Sequence, residues 1–395
     1  MSRVALVRCT SYEPQEVLLA VEKAVELLGG VERFARPGEH VLLKPNLLYG
    51  RAPERAVTTH PSVLSAVIRI LQGAGAIVSY GDSPGLGSPA AAASVAGLAE
   101  AAAALGVELA DFETPETVSC SACRLVRQFT VARAALRADA IISLPKLKTH
   151  GLTRMTGALK NLYGCVPGLL KAEFHGRLPD VELFSRMLVD LHLLLRPRLH
   201  VMDAVVAMEG NGPGHGRPRP LNAILASEDP VALDATACRM IRLDPSAVPP
   251  IVRGEAEGIG SSRNVEIVGA SLDTFVVEDF DVRRTPERGR RRTLRSALLL
   301  GFARRFLVAR PVIRHSRCTR CGQCVDVCPV SPKAVDFSGD RSKPPSHHYE
   351  RCIRCYCCQE LCPAGAIEIY VPRLGRAVRR GASMPRGHGR RDAGG

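Results

Sequence analysis

Eight cysteines near the C-terminus have the spacing needed to bind metal. They form two copies of the pattern C-x2-C-x2-C-x3-C-P, which begin at Cys318 and Cys352. In such a pattern three thiolates reach one iron–sulfur cube, and the fourth, followed by proline, crosses to the other cube. We therefore predict two [4Fe–4S] clusters. The predicted ligands are Cys318, Cys321, Cys324 and Cys362 for one cluster, and Cys352, Cys355, Cys358 and Cys328 for the other.

The two cysteine motifs are halves of an internal repeat, because an apolar stretch follows each of them, at residues 334–337 and 366–369. CxxC pairs can also hold structural zinc, but two complete motifs that both end in Cys-Pro favour iron–sulfur clusters. Cys357 lies outside the spacing, and we interpret it as a packed thiol beside the second cluster. The segment resembles a bacterial two-cluster ferredoxin, which implies a one-electron carrier.

Four polar segments in the first 280 residues carry groups that could bind or protonate a substrate. Each lies at the end of a predicted strand or in the loop or helix start that follows it. Ligands of an open parallel sheet bind outside the carboxyl ends of its strands, so we expect one basic crevice there, suited to an anionic substrate. The candidate catalytic residues are Lys146, Lys148, His150 and Lys160, and the candidate cofactor-binding residues are Lys44, Asn46, His60, Asp82, Ser83 and Asn161.

These segments also have structural interpretations. The glycine-rich turn at 81–87 can simply join a strand to a helix, and His60 can lie beside a helix cap. Lys146 and Lys148 can belong to a solvated loop. Packing does not require polar residues after an apolar strand, however, which favours a functional role for the segment at 146–161.

Three further features carry weaker signals. Asp203, Glu209 and Asp234 could form a cation site, but helix capping and turn formation are the favoured interpretation of these acids. The glycine-rich segment at 210–216 could be a lid over the crevice or only a loop. The CxxC pair at 120–123 could be redox-active or metal-binding, but a chance spacing or structural burial is the favoured interpretation.

The elements that must position these residues follow from hydrophobic periodicity. Short apolar runs alternate with longer amphipathic segments, which is typical of βαβ units with right-handed crossovers. We predict an α/β domain with a mostly parallel sheet flanked by helices, and antiparallel edge strands at 112–138. The predicted strands are 4–7, 40–43, 76–80, 140–144, 199–202, 222–226 and 265–268, and the predicted helices are 14–28, 61–72, 89–105, 152–162, 180–195 and 230–241.

Positive charge is concentrated outside this domain. The net charge of the 395-residue chain is +14, yet residues 282–317 carry +11 and residues 373–395 carry +6, so the remainder is slightly acidic. We predict four segments: an α/β domain at 1–281, an arginine-rich linker at 282–317 with one helix at 293–309, a small α+β ferredoxin-like module at 318–371, and a basic disordered tail at 373–395.

The motifs of the large domain, taken in order, resemble one known family. KPN, TTHP, GDSPG, LPKLKTH with LTRMTGALKNLYG, DAVVAMEGNGP and SEDPVALDATACRMI are similar to the family called domain of unknown function 362, over about residues 1–270. Members commonly carry a fused two-cluster ferredoxin segment, as this chain does. The resemblance implies an iron–sulfur protein of unresolved chemistry and assigns no catalytic roles.

These features predict an iron–sulfur oxidoreductase, a reductase that passes electrons from two clusters to an anionic small molecule in the crevice. The alternative is a non-catalytic electron-transfer or redox-sensing protein that binds a partner. The basic segments favour an acidic electron donor or acceptor protein. They lack interleaved aromatic residues, which disfavours nucleic-acid binding. No apolar run is long enough to span a membrane and the N-terminus begins as a strand, which predicts a cytoplasmic protein.

Overall fold

The computed structural model describes residues 1–168, 170–284, 309–370 and 372. Within this part of the chain, a mostly parallel central sheet flanked by helices is joined to a small C-terminal strand-and-helix module. The predicted fold class is therefore confirmed. The predicted linker helix at 293–309, apart from Ala309, and the predicted tail at 373–395 lie outside the described residues.

The central sheet has ten strands. Three of its pairings are antiparallel, and two of these involve the strand Arg217–Ser227, which lies between Ser2–Arg8 and Leu199–Glu209. All other pairings in the sheet are parallel. The strands are Ser2–Arg8, His40–Pro45, Ile77–Tyr80, Glu108–Leu109, Ala140–Leu144, Lys146–His150, Arg154–Thr156, Leu199–Glu209, Arg217–Ser227 and Val265–Gly269.

Helices cover both faces of the sheet. Val41 and Leu43 of one strand pack into the core beneath Pro14–Leu27 and Pro61–Gly73, whereas Leu42 points into the opposite core. Burial on both faces explains why the strands read as continuous apolar runs. The α-helices of the large domain are Pro14–Leu27, Pro61–Gly73, Pro89–Val95, Leu98–Ala103, Arg133–Arg137, Ala158–Asn161, Leu170–Arg177, Val181–Leu195, Pro230–Met240 and Pro249–Ala256.

The helix predicted at 152–162 is wrong over its first half. Lys146–His150 turns at Gly151 and pairs antiparallel with Arg154–Thr156, so helix begins only at Ala158. Tertiary pairing overrides the apparent helical period here, since Lys148 sits opposite Thr156 across a fully buried ladder.

Two other elements differ from their predictions. The helix predicted at 89–105 is broken at Gly97, whose φ of 71° is left-handed and suits glycine. Residues 112–138 do form antiparallel strands, Pro115–Ser119 and Gln128–Ala132, but they make a separate two-stranded sheet. The cysteines at 120 and 123 form a buried disulfide in the connection between those two strands, which agrees with structural burial.

The C-terminal module begins earlier than predicted. Its first strand, Arg310–Ile313, pairs antiparallel with its last, Ile367–Tyr370, so the end of the predicted linker belongs to the module. Between these strands the two cysteine motifs each contribute one short helix, Gln323–Asp326 and Cys357–Glu360. A second small hairpin, Val335–Asp336 with Ser346–His347, completes the module.

Candidate functional site

The second cysteine motif packs against the carboxyl-end edge of the central sheet. Gln359 Nε2, from the short helix of that motif, donates to Asn211 Oδ1 at 3.0 Å and to the Gly212 carbonyl at 3.3 Å. His215 Nε2 lies 2.6 Å from the carbonyl oxygen of Cys362. The turn at 210–216, interpreted from sequence as a lid or a loop, therefore joins two long strands and contacts the module.

A cleft of about 730 Å³, partly open to solvent, lies between the sheet edge and the module. Both parts of the chain contribute its walls, so the cleft exists only because the module docks there. From the large domain the polar lining residues are Asn46, Asp82, Ser83, Lys160, Asn161, Tyr163, Lys171 and His175, and from the module the lining residues are Val327, Cys357, Glu360 and Leu361.

Asp82 and Lys44 form a buried ion pair on one wall of the cleft. Lys44 Nζ lies 3.0 Å from Asp82 Oδ1 and donates to the Pro45 carbonyl at 2.8 Å. Burial raises the pKa of Asp82, although Lys44 works against that shift. Asn161 Nδ2 donates to the carbonyl of Lys44 at 2.9 Å and ties this pair to the helix Ala158–Asn161.

Two lysines beside the cleft have no carboxylate within ion-pair distance among the described residues: Lys148 and Lys171. Lys148 Nζ donates to Asn46 Oδ1 and to the Val57 carbonyl, both at 2.7 Å, and Lys171 Nζ donates to Ser83 Oγ at 3.0 Å. Burial lowers the pKa of Lys148 to about 7 and that of Lys171 to about 8. Both ammonium groups can therefore release a proton close to neutral pH.

His150 and Lys160 meet Glu360, a residue of the module. Nδ1 of His150 accepts the backbone N–H groups of Leu152 and Thr153 at 3.0 and 3.2 Å, so the ring proton is on Nε2, which faces Glu360 Oε2 at 3.3 Å. Lys160 Nζ lies 3.7 Å from Glu360 Oε1. Burial lowers the pKa of His150 to about 4. Burial acts to raise the pKa of Glu360, but Lys160 and His150 outweigh it and lower the pKa.

Lys146 and His60 belong to a different network, centred on Asp203. Lys146 Nζ donates to Asp203 Oδ2 and to the Tyr12 hydroxyl, both at 2.7 Å. The Tyr12 hydroxyl donates to Asp203 Oδ1 at 2.8 Å, and the ring of Tyr12 stacks on His60 at 3.6 Å. Burial lowers the pKa of Lys146, while Asp203 opposes that shift. Neither Lys146 nor His60 lines the cleft. Lys44, Lys148 and His150 do not line it either, but each contacts a residue that does, namely Asp82, Asn46 and Glu360. The predicted site residues therefore divide into a group in or next to the cleft and a group around Asp203.

The acids considered as a cation site do not come together. Asp234 accepts the backbone N–H groups of Ala158 and Leu159 at 2.7 and 3.1 Å, and so caps the start of the helix Ala158–Asn161. Glu209 pairs with Arg217 at 3.2 Å, while Asp203 binds Lys146. Within the described ranges no three His, Cys, Asp or Glu side chains form a group that could hold a single metal ion. The possible cation site is therefore not seen there, and Asp234 has the capping role that was the favoured interpretation.

The eight motif cysteines surround two cavities in the crossed grouping expected from their spacing. Cys318, Cys321, Cys324 and Cys362 line one cavity. Cys328, Cys352, Cys355 and Cys358 line the other.

Four thiols around one space suit a polynuclear cluster with thiolate ligands. Burial, and then the nearby thiols of Cys362, Cys318 and Cys321, raise the pKa of Cys324 to about 12. A cationic iron centre would relieve this repulsion. Cys357 lines neither cavity; it is buried, contacts Cys355 and faces the cleft.

Several residues of the site escaped the sequence-based prediction. Lys171 and His175 lie on the helix Leu170–Arg177, which no strong periodicity marks. Tyr12 follows the first strand, and its position at the carboxyl end of that strand could have marked it as a site residue. No sequence pattern marked Glu360, because a charged residue between two cysteines is usually solvated.

A family model described as a domain of unknown function, DUF362, matches residues 41–239, and a model of a 4Fe–4S dicluster domain matches residues 310–363. A thylakoid-associated protein from Synechocystis is 38% identical over 257 residues, which cover 65% of this chain and 79% of that protein. Along the described stretches of the chain, no helix is sufficiently long and apolar to cross a membrane.

Two solved structures resemble the chain at low similarity. The lactate racemase apoprotein from Thermoanaerobacterium thermosaccharolyticum gives a TM-score of 0.37 at 12% identity, covering 59% of this chain and 55% of its own. A protein from Thermotoga maritima gives 0.35 at 12% identity, covering 57% of each chain. The chain thus spans little more than half the length of either structure.

Proposed function

This chain belongs to the DUF362 family and carries a 4Fe–4S dicluster domain of ferredoxin type, and from that premise we propose that it is an iron–sulfur reductase. Electrons from a one-electron protein carrier would reach an anionic small molecule bound in the cleft. One observation carries this proposal: lysines of the large domain and Cys357 and Glu360 of the second cysteine motif line the same cleft.

The proposed ligands of the two [4Fe–4S] clusters are the two groups of four cysteines that surround the module's cavities. The contact between Cys355 and Cys357 connects the second cavity to the cleft. When bound, the clusters would supply electrons singly to a substrate beside them. A crossed pair is suited to a two-electron reduction, because it can hold two electrons.

The cleft residues would bind and orient the substrate. Lys160 and Lys171 would attract its negative charge, and the amide of Asn46 and hydroxyl of Ser83 offer hydrogen bonds next to them. Lys148, which contacts Asn46, has a pKa near 7 because it is buried. It is therefore the proposed source of the proton that a reduced substrate requires.

The other predicted catalytic and cofactor-binding residues would position these groups. Lys44 holds Asp82, and Asn161 holds the backbone of Lys44. His150 is neutral and directs its Nε2 proton at Glu360, so it helps to hold the module over the cleft. The docked module excludes water from that side of the site, which strengthens the electrostatic interactions within it.

A second candidate function is a non-catalytic electron carrier or redox sensor. The observation in its favour is that two of the predicted site lysines are already paired internally, Lys44 with Asp82 and Lys146 with Asp203. Such pairs stabilise a crevice without any ligand. In this case the electron acceptor would be a protein.

We also propose a reducing, cytoplasmic location, because thiolate-bound clusters of this kind persist where cysteines are kept reduced. The relative from Synechocystis is named for its association with thylakoids. A peripheral association of this chain with a membrane surface is the corresponding alternative. Fractionation of cells that express a tagged chain would distinguish the two.

Re-oxidation of the reduced protein tests the reductase proposal. The anaerobic protein, with its iron and sulfide content measured, is reduced with dithionite and passed through a desalting column. It is then mixed with a panel of small carboxylates, phosphate esters and oxyanions while cluster absorbance is followed. We expect at least one anion to re-oxidise the clusters with saturation kinetics, because Lys160 and Lys171 form a binding site that can be filled.

Matched lysine variants complete the test. Lys171→Met should raise the concentration of anion needed for half-saturation at least tenfold with unchanged iron content, whereas Lys23→Met, at an exposed position outside the site, should have no effect. If a protein acceptor re-oxidises the clusters and every small anion fails, the electron-carrier function is correct and the reductase proposal is wrong.

A further inference from the structure

The two groups of proposed cluster ligands differ in their exposure. Cys321, in the first group, is exposed, and it is the only one of the eight cysteines that is. In the second group Cys328 and Cys358 are buried, and Cys355 contacts Cys357 on the wall of the cleft. Cys362 of the first group is also buried, so solvent reaches that group at Cys321, whereas the second group adjoins the cleft through the contact between Cys355 and Cys357.

Exposed basic side chains surround Cys321. Arg320 Nη1 donates to the carbonyl of Ser342 at 2.8 Å, which holds the 341–343 loop beside the first motif. The guanidinium of Arg341 lies over Gly322, where an added Cβ would meet it at 3.1 Å. We call Arg320, Arg341 and Lys343 the basic rim, and all three are exposed.

The positive charges of the basic rim form no ion pairs within the described part of the chain. There, no carboxylate lies within ion-pair distance of Arg320, Arg341 or Lys343. Arg314 and Arg317, on the same module, differ in this respect, because both pair with Glu368, at 2.8 and 3.1 Å. Arg320 bonds the Ser342 carbonyl and Arg341 lies over the ring of Phe337, but neither contact neutralises the charge, so these exposed cations beside a redox site suit an acidic partner.

We propose that the basic rim binds an acidic one-electron donor protein, and that electrons enter at the cluster held by the first group and leave through the second toward the cleft. This inference rests on the proposed function and adds its direction and its donor surface. The donor loses one electron and one cluster passes from the 2+ to the 1+ state, with no proton transferred. Cys321 offers an exposed point of entry at one end of this route, and Cys357 lines the cleft at the other.

Binding can be tested without electron transfer. The probe is a plant-type ferredoxin, an acidic protein, in which gallium replaces iron so that it cannot donate electrons. Its affinity for the anaerobic, cluster-loaded protein is measured by fluorescence anisotropy at several salt concentrations. We expect R341E/K343E to weaken binding at least tenfold at low salt, and R320Q to weaken it about threefold.

A control with matched charge changes is R69E/R124E, at exposed arginines of the large domain. It should bind the probe as the wild type does, because both positions are remote from the rim in sequence and belong to the other part of the chain. Equal loss in the control and rim variants would mean that only net charge matters, and the proposed surface would be wrong.

Rapid mixing with the native, reduced [2Fe–2S] ferredoxin then tests the direction. R341E/K343E should slow cluster reduction at least tenfold, while dithionite should still reduce both clusters at the wild-type rate and iron content should stay unchanged. If ferredoxin reduces that variant and the wild type at equal rates, the rim is not the point of entry. That result would leave the reductase proposal intact, since re-oxidation by anions tests it separately.

Discussion

The two cysteine motifs share one local backbone and occupy opposite environments. Arg320 and Arg354 hold the same place in their motifs, and both have a left-handed φ, of 60° and 62°. Gly322 and Tyr356 also correspond, with φ of 86° and 64°. Nevertheless, Arg320 is exposed, whereas Arg354 is buried. The repeat therefore specifies the local backbone of each cysteine motif and leaves open what surrounds it.

The same contrast separates the acids that follow. Asp326 ends its short helix in solvent, while the equivalent Glu360 reaches into the large domain and meets His150 and Lys160. Because the second motif docks against the sheet edge, Glu360 contacts the large domain, whereas the equivalent Asp326 stays exposed. One motif can thus serve an external partner while the other serves the cleft.

The largest expected effect concerns cluster ligation in the second motif. Cys358→Ser should remove one cluster, about four of about eight iron atoms per chain, because Cys358 completes the x2 spacing. Cys357→Ser should retain all the iron, since Cys357 faces the cleft. Iron and acid-labile sulfide assays on anaerobic protein measure both. Equal losses would contradict the ligand assignment, and zinc without sulfide would contradict the clusters altogether.

The next effect compares Glu360 with Asp326. Glu360→Gln should lower the free energy of unfolding by roughly 2–4 kcal/mol, because it leaves the buried side of Lys160 without its negative partner. Asp326→Asn, at the exposed equivalent position, should cause no measurable change. Anaerobic urea titrations of both variants provide the measurement. Similar losses of unfolding free energy in the two variants would mean that the contact of Glu360 with the large domain does not contribute to stability.

Lys148, beside the cleft, should make the stability of the protein depend on pH. Burial lowers the pKa of Lys148 from 10.5 to about 7, so between these values the unfolded chain binds more protons and stability rises with pH. As pH rises through this range, the free energy of unfolding of the wild type should therefore increase relative to that of Lys148→Met, by up to about 1.4 kcal/mol per pH unit. Urea titrations at pH 7.5 and 8.5 would reveal it.

The matched control for that pH dependence is Lys23→Met, at an exposed helix position. The difference in free energy of unfolding between Lys23→Met and the wild type should be the same at both pH values. A constant difference for Lys148→Met as well would indicate that Lys148 stays charged, and would remove it as the proposed proton source.

The smallest effect concerns reduction potential. His347 Nε2 lies 3.6 Å from Cys358 Sγ, and among the described residues no histidine makes the equivalent contact with a cysteine of the first group. A hydrogen bond to a ligand sulfur stabilises the reduced cluster, so His347→Phe should lower the potential of the second cluster. A bond of about 1 kcal/mol corresponds to about 40 mV for one electron. Redox titration followed by EPR would test this, and an unchanged potential would exclude the interaction.

Much of the large domain could be predicted because its signals are local. Proline at a helix start and continuous apolar runs located Pro14–Leu27, Pro61–Gly73 and the strand Ala140–Leu144 within one or two residues. The hairpin at 146–156 could not be read in this way. Its polar residues are buried by partners that are distant in sequence, so the local pattern resembled the face of a helix.

The sequence alone determined the grouping of the eight cysteines, because spacing within a short loop decides which thiols can face one cavity. It also determined that polar groups would gather at the carboxyl edge of the sheet, since parallel strands end on the same side. Only the tertiary structure divided those groups between the cleft and Asp203, where Lys146 is held. It alone also turned Glu360 inward and left Cys321 exposed. Which half of a repeat is covered depends on a contact between two domains, and no local pattern in either domain records that contact.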